Sequence, residues 1–384
     1  MFMIVANSSL YVKMASSSSL QQTKSNIMEG TTPIRGVNLG GWLVAEQWMS
    51  WKSPIWTNVP QSVYTKGEYQ TMKYIGHKNG DVLFKKHRDT YVTEKEFADI
   101  ALAGLNCVRI PVGHWIMGQD NAGGTLRYDW KMYAPGALYY LDKAVKEWAP
   151  KYGLTVLISV HAARGSQNGY DHSSPSQSQG VWSASPENVT NTLQFVDFLV
   201  TRYGNDPAFL GIGLLNEPGN GANKTVLLKY YQDAYNLVRN QRGSTCLLTH
   251  APMVWEQTTQ ADWASFMTDT NTLNTCHEWH RYQVWGFENK TVYDLVDWCK
   301  NDLLTDVTSW PGKPLLIGEW SMALSDTITS NNMDAFKQYG VAQLDAFRQA
   351  KAGWFFWNWK VDGDGNGTNG WSLRDMIASK TLVL

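Results

Sequence analysis

The chain carries almost no net charge: 33 Lys and Arg stand against 34 Asp and Glu, a formal charge of −1. That balance gives no electrostatic case for nucleic acid or an anionic membrane as partner. Cysteine is scarce too. Four residues, Cys107, Cys246, Cys276 and Cys299, cannot make a disulfide framework for 384 residues, and no CxxC or Cys/His spacing points to zinc. Cys107 and Cys246 fall inside expected strands and read as small buried hydrophobes. Cys276 and Cys299 could bridge a strand to the helix after it. No apolar run is long enough to span a membrane. Residues 1–6 are apolar but lack the basic start and full length of a secretory leader. The polar stretch after them reads as disordered, so residues 1–30 are expected to be a tail and 31–384 one domain.

Aromatic residues, by contrast, are plentiful: 19 Trp and 18 Tyr. Many must fill the core, but flat rings near acidic strand ends also suit the C–H face of a pyranose. Five Asn-x-Ser/Thr triplets, starting at Asn7, Asn188, Asn223, Asn289 and Asn366, exceed chance and support a secreted, glycosylated protein.

Apolar runs bounded by turn residues alternate with helical patterns along the chain. A first strand over 34–39 ends in Gly40-Gly41-Trp42, and residues 43–92 read as a long, mostly irregular, Trp-rich connection. Thr93 and Glu96 form a capping box before Phe97, Ile100 and Ala101 at helical spacing. Strands follow at 106–111, 154–160, 209–215, 245–250, 273–279, 315–318 and 353–357. Helices are expected at 137–149, 186–203 (opened by Pro186), 224–242, around Ala261, 291–304 and 333–351. Eight strands in strict alternation with helices imply an α/β fold, a single closed (β/α)8 TIM barrel with a long loop after strand 1. Polar residues bunch just after the strands, where such barrels build their sites.

Two of those strand ends carry carboxylates: Glu217 in LLNEPG and Glu319 in LLIGEWS. A carboxylate at the exit of a buried strand is costly unless a partner or a task holds it. Paired across a barrel mouth, one protonated and one ionised, they suit cleavage of a glycosidic bond. Asn216 is placed to bond a sugar hydroxyl beside the reacting carbon. Arg109 can hold Glu319 ionised, and His280 and Tyr282 complete the bonds around it. Repulsion from Glu319 should raise the pKa of Glu217, and the two carboxyls should lie ~5–5.5 Å apart.

These residues sit in ordered motifs: RGVNLGGWLVAE from Arg35, GLNCVRIPVGHW from Gly104, HAARGSQNGYDHS from His161, LLNEPG, HRYQVW from His280, LLIGEWS, and GWFFWNWK from Gly353. Together they resemble glycoside hydrolase family 5, most closely its exo-β-1,3-glucanase branch, from about residue 33 to 374. The resemblance implies a retaining mechanism that releases glucose from the non-reducing end of a β-glucan, with Glu217 as acid/base and Glu319 as nucleophile. Arg109, His161, Asn216, His280, Tyr282 and Trp357 fall on the family's other active-site positions. Glu46 falls where the fungal enzymes hold the terminal glucose, and Tyr170 and Trp285 where they carry a clamping pair of phenylalanines. No cofactor or metal is implied, and a monomer is expected. There are departures: Gln47 replaces a common proline, and Arg164 in His-Ala-Ala-Arg adds a cation near the cleft. The insertion between Trp48 and His87 has its own sequence.

Other motifs are discounted. His277 and His280 are three apart, not the four of a zinc protease helix. The run Asp362-Gly-Asp-Gly-Asn-Gly opens like a calcium loop, but Leu373 stands where its glutamate belongs, so a tight turn is expected. Gly211-Ile-Gly213 lies within a strand and is no dinucleotide fingerprint. Two alternatives remain: a related β-glucosidase acting on β-1,6-glucan or on glucosides with an apolar aglycone, or a non-catalytic wall-glucan-binding protein.

Overall fold

The computed structural model describes residues 17–259, 262–328 and 332–384. Eight strands, each hydrogen-bonded in parallel to the next, close in chain order into one barrel. They are β1 (Ile34–Asn38), β2 (Cys107–Gly113), β3 (Thr155–Ala162), β4 (Phe209–Gly213), β5 (Leu247–His250), β6 (Thr275–His280), β7 (Leu315–Trp320) and β8 (Gly353–Phe356). Every strand residue from β2 to β8 is buried, because helices cover the outside and side chains fill the inside. This is the expected (β/α)8 architecture. Among the described residues, no helix is long and apolar enough to cross a membrane.

The barrel floor is one layer of side chains, one from each strand: Ile34, Cys107, Leu157, Leu210, Leu247, Cys276, Leu316 and Phe355. Ile27 packs against this layer from below. It belongs to a helix, Ser17–Met28, that replaces the disorder expected up to residue 30. Leu20 and Ile27, seven apart on one face, are both buried and anchor an otherwise polar helix. Residues 1–6 and Asn7 lie outside the described part.

The floor also settles the cysteines. Cys276 faces the barrel interior, whereas Cys299 lies in the helical segment Cys299–Leu303 and packs in the outer shell. All four cysteines are free and buried, so the bridge that the sequence allowed between Cys276 and Cys299 does not form.

The connection after β1 is not irregular. It folds into helices Gln61–Tyr64, Glu68–Ile75 and His77–Thr90 around a separate small core of Ile55, Trp56, Met72 and Phe84. Arg88 and Glu68 pair at 3.2 Å inside it, each only 1% exposed. Burial lifts the Glu68 carboxyl to about 7 against the pull of Arg88. Arg88 also donates to the carbonyls of Ala134 and Pro135, so it ties this subdomain to the barrel. Arg88→Ala leaves a buried carboxylate without its cation and should cost about 3–5 kcal/mol. A lower midpoint in urea unfolding would register it; an unchanged midpoint would show that other contacts hold the subdomain.

The other elements fall close to expectation, with the helix Pro186–Tyr203 matching its predicted span. The helices from Ala137, Lys224 and Val292 each run on through a wider π-wound segment. The helix expected around Ala261 falls on residues outside those described, and residues 262–267 form turns. At the Asp362 run, the amides of Gly365, Gly367 and Asn369 donate to Asp375. Donors point inward where a calcium site needs oxygens, so this is a turn around an anion.

Candidate active site

Parallel pairing puts all eight strand ends on one rim. The register sets Asn38 beside Arg109 and His280 beside Glu319. Arg109, 1% exposed on β2, distributes its guanidinium among several partners. Nη1 donates to Glu319 Oε1 at 2.8 Å and to Asn38 Oδ1 at 2.9 Å, and Nη2 to Asn216 Oδ1 at 2.7 Å. The Tyr282 hydroxyl donates to the other Glu319 oxygen at 2.7 Å. Glu319 therefore has a charged donor on one oxygen and a neutral donor on the other.

Glu217 leaves β4 in an uncommon backbone conformation, φ +42°. Side-chain amides of the following β3 loop brace this turn: Gln167 donates to the Asn216 carbonyl at 2.8 Å, and Asn168 to that of Glu217 at 3.0 Å. The carboxyl meets His280 Nδ1 at 2.8 Å through Oε1, and His172 Nε2 lies 3.4 Å from Oε2. His280 Nδ1 is also 3.4 Å from Glu319 Oε2. One oxygen of Glu217 and one of Glu319 lie within 4.8 Å of each other.

The pKa order reverses the expectation from two carboxylates alone. Burial pushes Glu217 up, but the bond and charge of His280, with His172 and Arg109, outweigh it and hold the carboxyl at about 2. Glu319 is raised, by burial first, against His280 and Arg109. Burial would lower His280, yet Glu319, Glu217 and Glu278 lift it to about 10. His280, expected from the sequence beside Glu319, also bonds Glu217 and so bridges the pair. Glu217, His280 and Glu319 also have the spacing of a metal site. In the structure those same atoms are engaged with one another: His280 Nδ1 lies 2.8 Å from Glu217 Oε1, and Nε2 lies 3.1 Å from Glu278 Oε1.

The cleft over these groups has a volume of about 710 Å³. It brings together Glu46, His161, Tyr170, Asn216, Glu217, His280, Tyr282, Trp285, Glu319 and Trp357, and Arg109 lies beneath them. Trp357 stacks on His161 with ring planes 5° apart. Among the side chains lining the cleft, Asn216 Nδ2, Glu46 Oε1 and His172 Nδ1 are buried with no protein partner. A buried donor and a buried acceptor left free in a cleft are what a polyhydroxylated ligand would satisfy. The other Glu46 oxygen accepts from Trp48 Nε1 at 2.9 Å. Tyr170 and Trp285 stand at the mouth, 49% and 67% exposed.

Trp48, Asp171, His172, Val254, Gln257 and Trp371 also line the cleft and were not picked out from the sequence. Asp171 and His172 lie inside a quoted motif and could have been found there. Arg164, expected near the cleft, is buried instead, paired with Asp120 at 2.6 Å and bonded to Asn188 at 2.9 Å. Its charge is neutralised behind the β3 loop. Asn188 is also buried, so its Asn-x-Thr triplet is inaccessible to a glycan.

A carboxylate pair on the rim of a (β/α)8 barrel, at the bottom of an open aromatic-lined cleft, is the arrangement of a glycoside hydrolase. Residues 70–363 match the cellulase profile, glycosyl hydrolase family 5. A probable glucan 1,3-beta-glucosidase A of Emericella nidulans is 31% identical over 385 residues, covering 90% of this chain and 89% of that protein. A glucan 1,3-beta-glucosidase of Blumeria graminis is 30% identical over 371 residues, covering 86% and 82%. Among solved structures, a rutinosidase from Aspergillus niger superposes with a TM-score of 0.71 at 18% identity, over 92% of this chain and 98% of that one. The last shares the fold. The chain belongs to glycosyl hydrolase family 5.

Proposed function

We propose that the protein is a retaining exo-acting glucan 1,3-β-glucosidase, releasing glucose from non-reducing ends by double displacement. The observation that carries this reading is the carboxylate pair, with oxygens within 4.8 Å and unlike partners. A retaining pair stands ~5–5.5 Å apart, whereas an inverting one needs ~6.5–9.5 Å to admit a water. Glu319, held by Arg109 and Tyr282, is the nucleophile. Glu217, bonded to His280, is the acid and then the base. Asn216 Nδ2 takes the sugar hydroxyl next to the reacting carbon, and Glu46 Oε1 takes a hydroxyl of the terminal glucose. Tyr170 and Trp285 flank the next sugar, while Trp357 and His161 form the wall of the first. The names of the curated relatives support β-1,3-glucan as substrate.

The catalytic domain is taken as residues 31–384, acting as a monomer outside the cell. Exposed Asn289 and Asn366, each in a glycosylation triplet, support that location.

Incubation with laminarin tests the reading. Glucose should be the sole early product; a ladder of oligosaccharides would rule out exo action. A row of rings, Trp48 to Trp371 at 5.2 Å and Trp371 to Trp285 at 6.3 Å, favours a second reading, glucosides with an apolar aglycone. A kcat/KM higher for a phenyl β-glucoside than for laminaribiose would favour that one.

A further inference from the structure

Beneath the mouth lies a third carboxylate, Glu278, which the sequence presents only as part of a discounted zinc motif. It sits on β6, two residues before His280 on the same face of the strand, and is 3% exposed. Its Oε1 lies 3.1 Å from His280 Nε2 and 3.0 Å from Arg109 Nη2, and its Oε2 accepts from the Thr249 hydroxyl. The neighbouring strands leave room for it: a Cβ on Gly318 would collide with Oε1, and one on Gly213 would lie 3.5 Å from Oε2.

Resting on the assignment of Glu217 as acid, we propose that Glu278 is a positioning residue of the reaction. It fixes His280 and Arg109 from below and sets the pH at which the Glu217–His280 pair loses its proton. His280 is bonded by carboxylates at both ring nitrogens, Glu217 on Nδ1 and Glu278 on Nε2. That is the environment of an imidazolium. The charged groups around the Glu217–His280 pair are Arg109, Glu278 and Glu319, with His172 Nε2 3.4 Å from Glu217 Oε2 and Glu46 across the cleft.

Other titratable groups face the pair from every side. His161 on β3, His250 on β5, Tyr231 on the helix Lys224–Asn236, and Cys276 and His277 on β6 itself are all buried. Burial pushes the three histidines down, His250 to about 3, so they are neutral. Burial raises Tyr231 and Cys276, and it raises Tyr282 at the far side of Glu319, so these are neutral too. Arg109 is therefore the fixed cation and Glu278 the fixed anion. Burial would raise Glu278, but Arg109, His280 and Thr249 hold it at about 2.

One proton serves the cycle. It moves from His280 Nδ1 to Glu217 and leaves on the glycosidic oxygen as Glu319 bonds to the anomeric carbon and the C–O bond breaks. The imidazole, now neutral, keeps its Nε2–H on Glu278. In the second half the water oxygen bonds to the same carbon, the bond to Glu319 breaks, and the water's proton returns through Glu217 to Nδ1. A negative charge next to the pair raises its shared pKa. Removing that charge should move the alkaline limb of kcat/KM down.

The experiment records kcat/KM against pH on laminarin and on 2,4-dinitrophenyl β-glucoside, whose leaving group needs no acid. Glu278→Gln should shift the alkaline limb on laminarin down by about one to two pH units. On the dinitrophenyl glucoside that limb should be weak in both enzymes. Glu278→Asp, which keeps the charge, should restore most of the shift. An unmoved limb with a uniform loss of rate would overturn the proposal and leave Glu278 a packing group. A wild type inert on both substrates would overturn the function itself, and this proposal with it. The wild-type protein gives an answer that needs no variant to fold. Labelled with 15N-histidine at pH 8, it should show one ring with both nitrogens protonated; eight neutral rings would overturn the proposal.

Discussion

Glu319→Ala should lower kcat on an aryl β-glucoside by roughly 10⁴- to 10⁶-fold, the range seen when a covalent nucleophile is removed. The loss should be chemical and not structural. Arg109 keeps Glu278 at 3.0 Å after the change, so no buried cation is left alone. Unfolding midpoints of variant and wild type should agree closely. Azide should then restore turnover by entering the space vacated opposite the leaving group, and the product should be the α-glucosyl azide. Unchanged hydrolysis of the aryl glucoside would remove Glu319 from the nucleophile's role.

Glu217→Ala should separate substrates by their leaving groups. On laminarin, where the departing oxygen needs a proton, the loss should be about 10²- to 10⁴-fold. On 2,4-dinitrophenyl β-glucoside the first step should be nearly spared, giving a burst and then a slow second step. Azide should rescue that second step and yield the β-glucosyl azide, because attack comes from the face that Glu217 occupied. An equal loss on both substrates would count against Glu217 as the acid.

Strand ends were the readable part of this molecule. Glu217 and Glu319 stood out because an apolar run stops abruptly at a carboxylate, and alternation along the chain put both on one rim. The helices Glu68–Ile75 and His77–Thr90 were not readable as such, because Gly67, Gly76 and Gly80 punctuate them and their apolar faces are narrow. Ser17–Met28 hid for a related reason: two buried side chains hold it and its remaining positions are polar. At the site, what the sequence withheld was distance. Residue types alone could not show His280 within 2.8 Å of Glu217, and that contact inverts the pKa order expected of two carboxylates. Glu278 was visible only as a failed metal motif. Trp48 and Trp371 meet across the mouth from opposite ends of the chain, so no local pattern joins them.

The helix Ser17–Met28 enters from beneath, on the face opposite the cleft. A handle fixed to this helix, whether an affinity tag, a bead or a display scaffold, would hold the base of the barrel. A tether fixed at that helix would therefore leave the cleft, on the opposite face, uncovered.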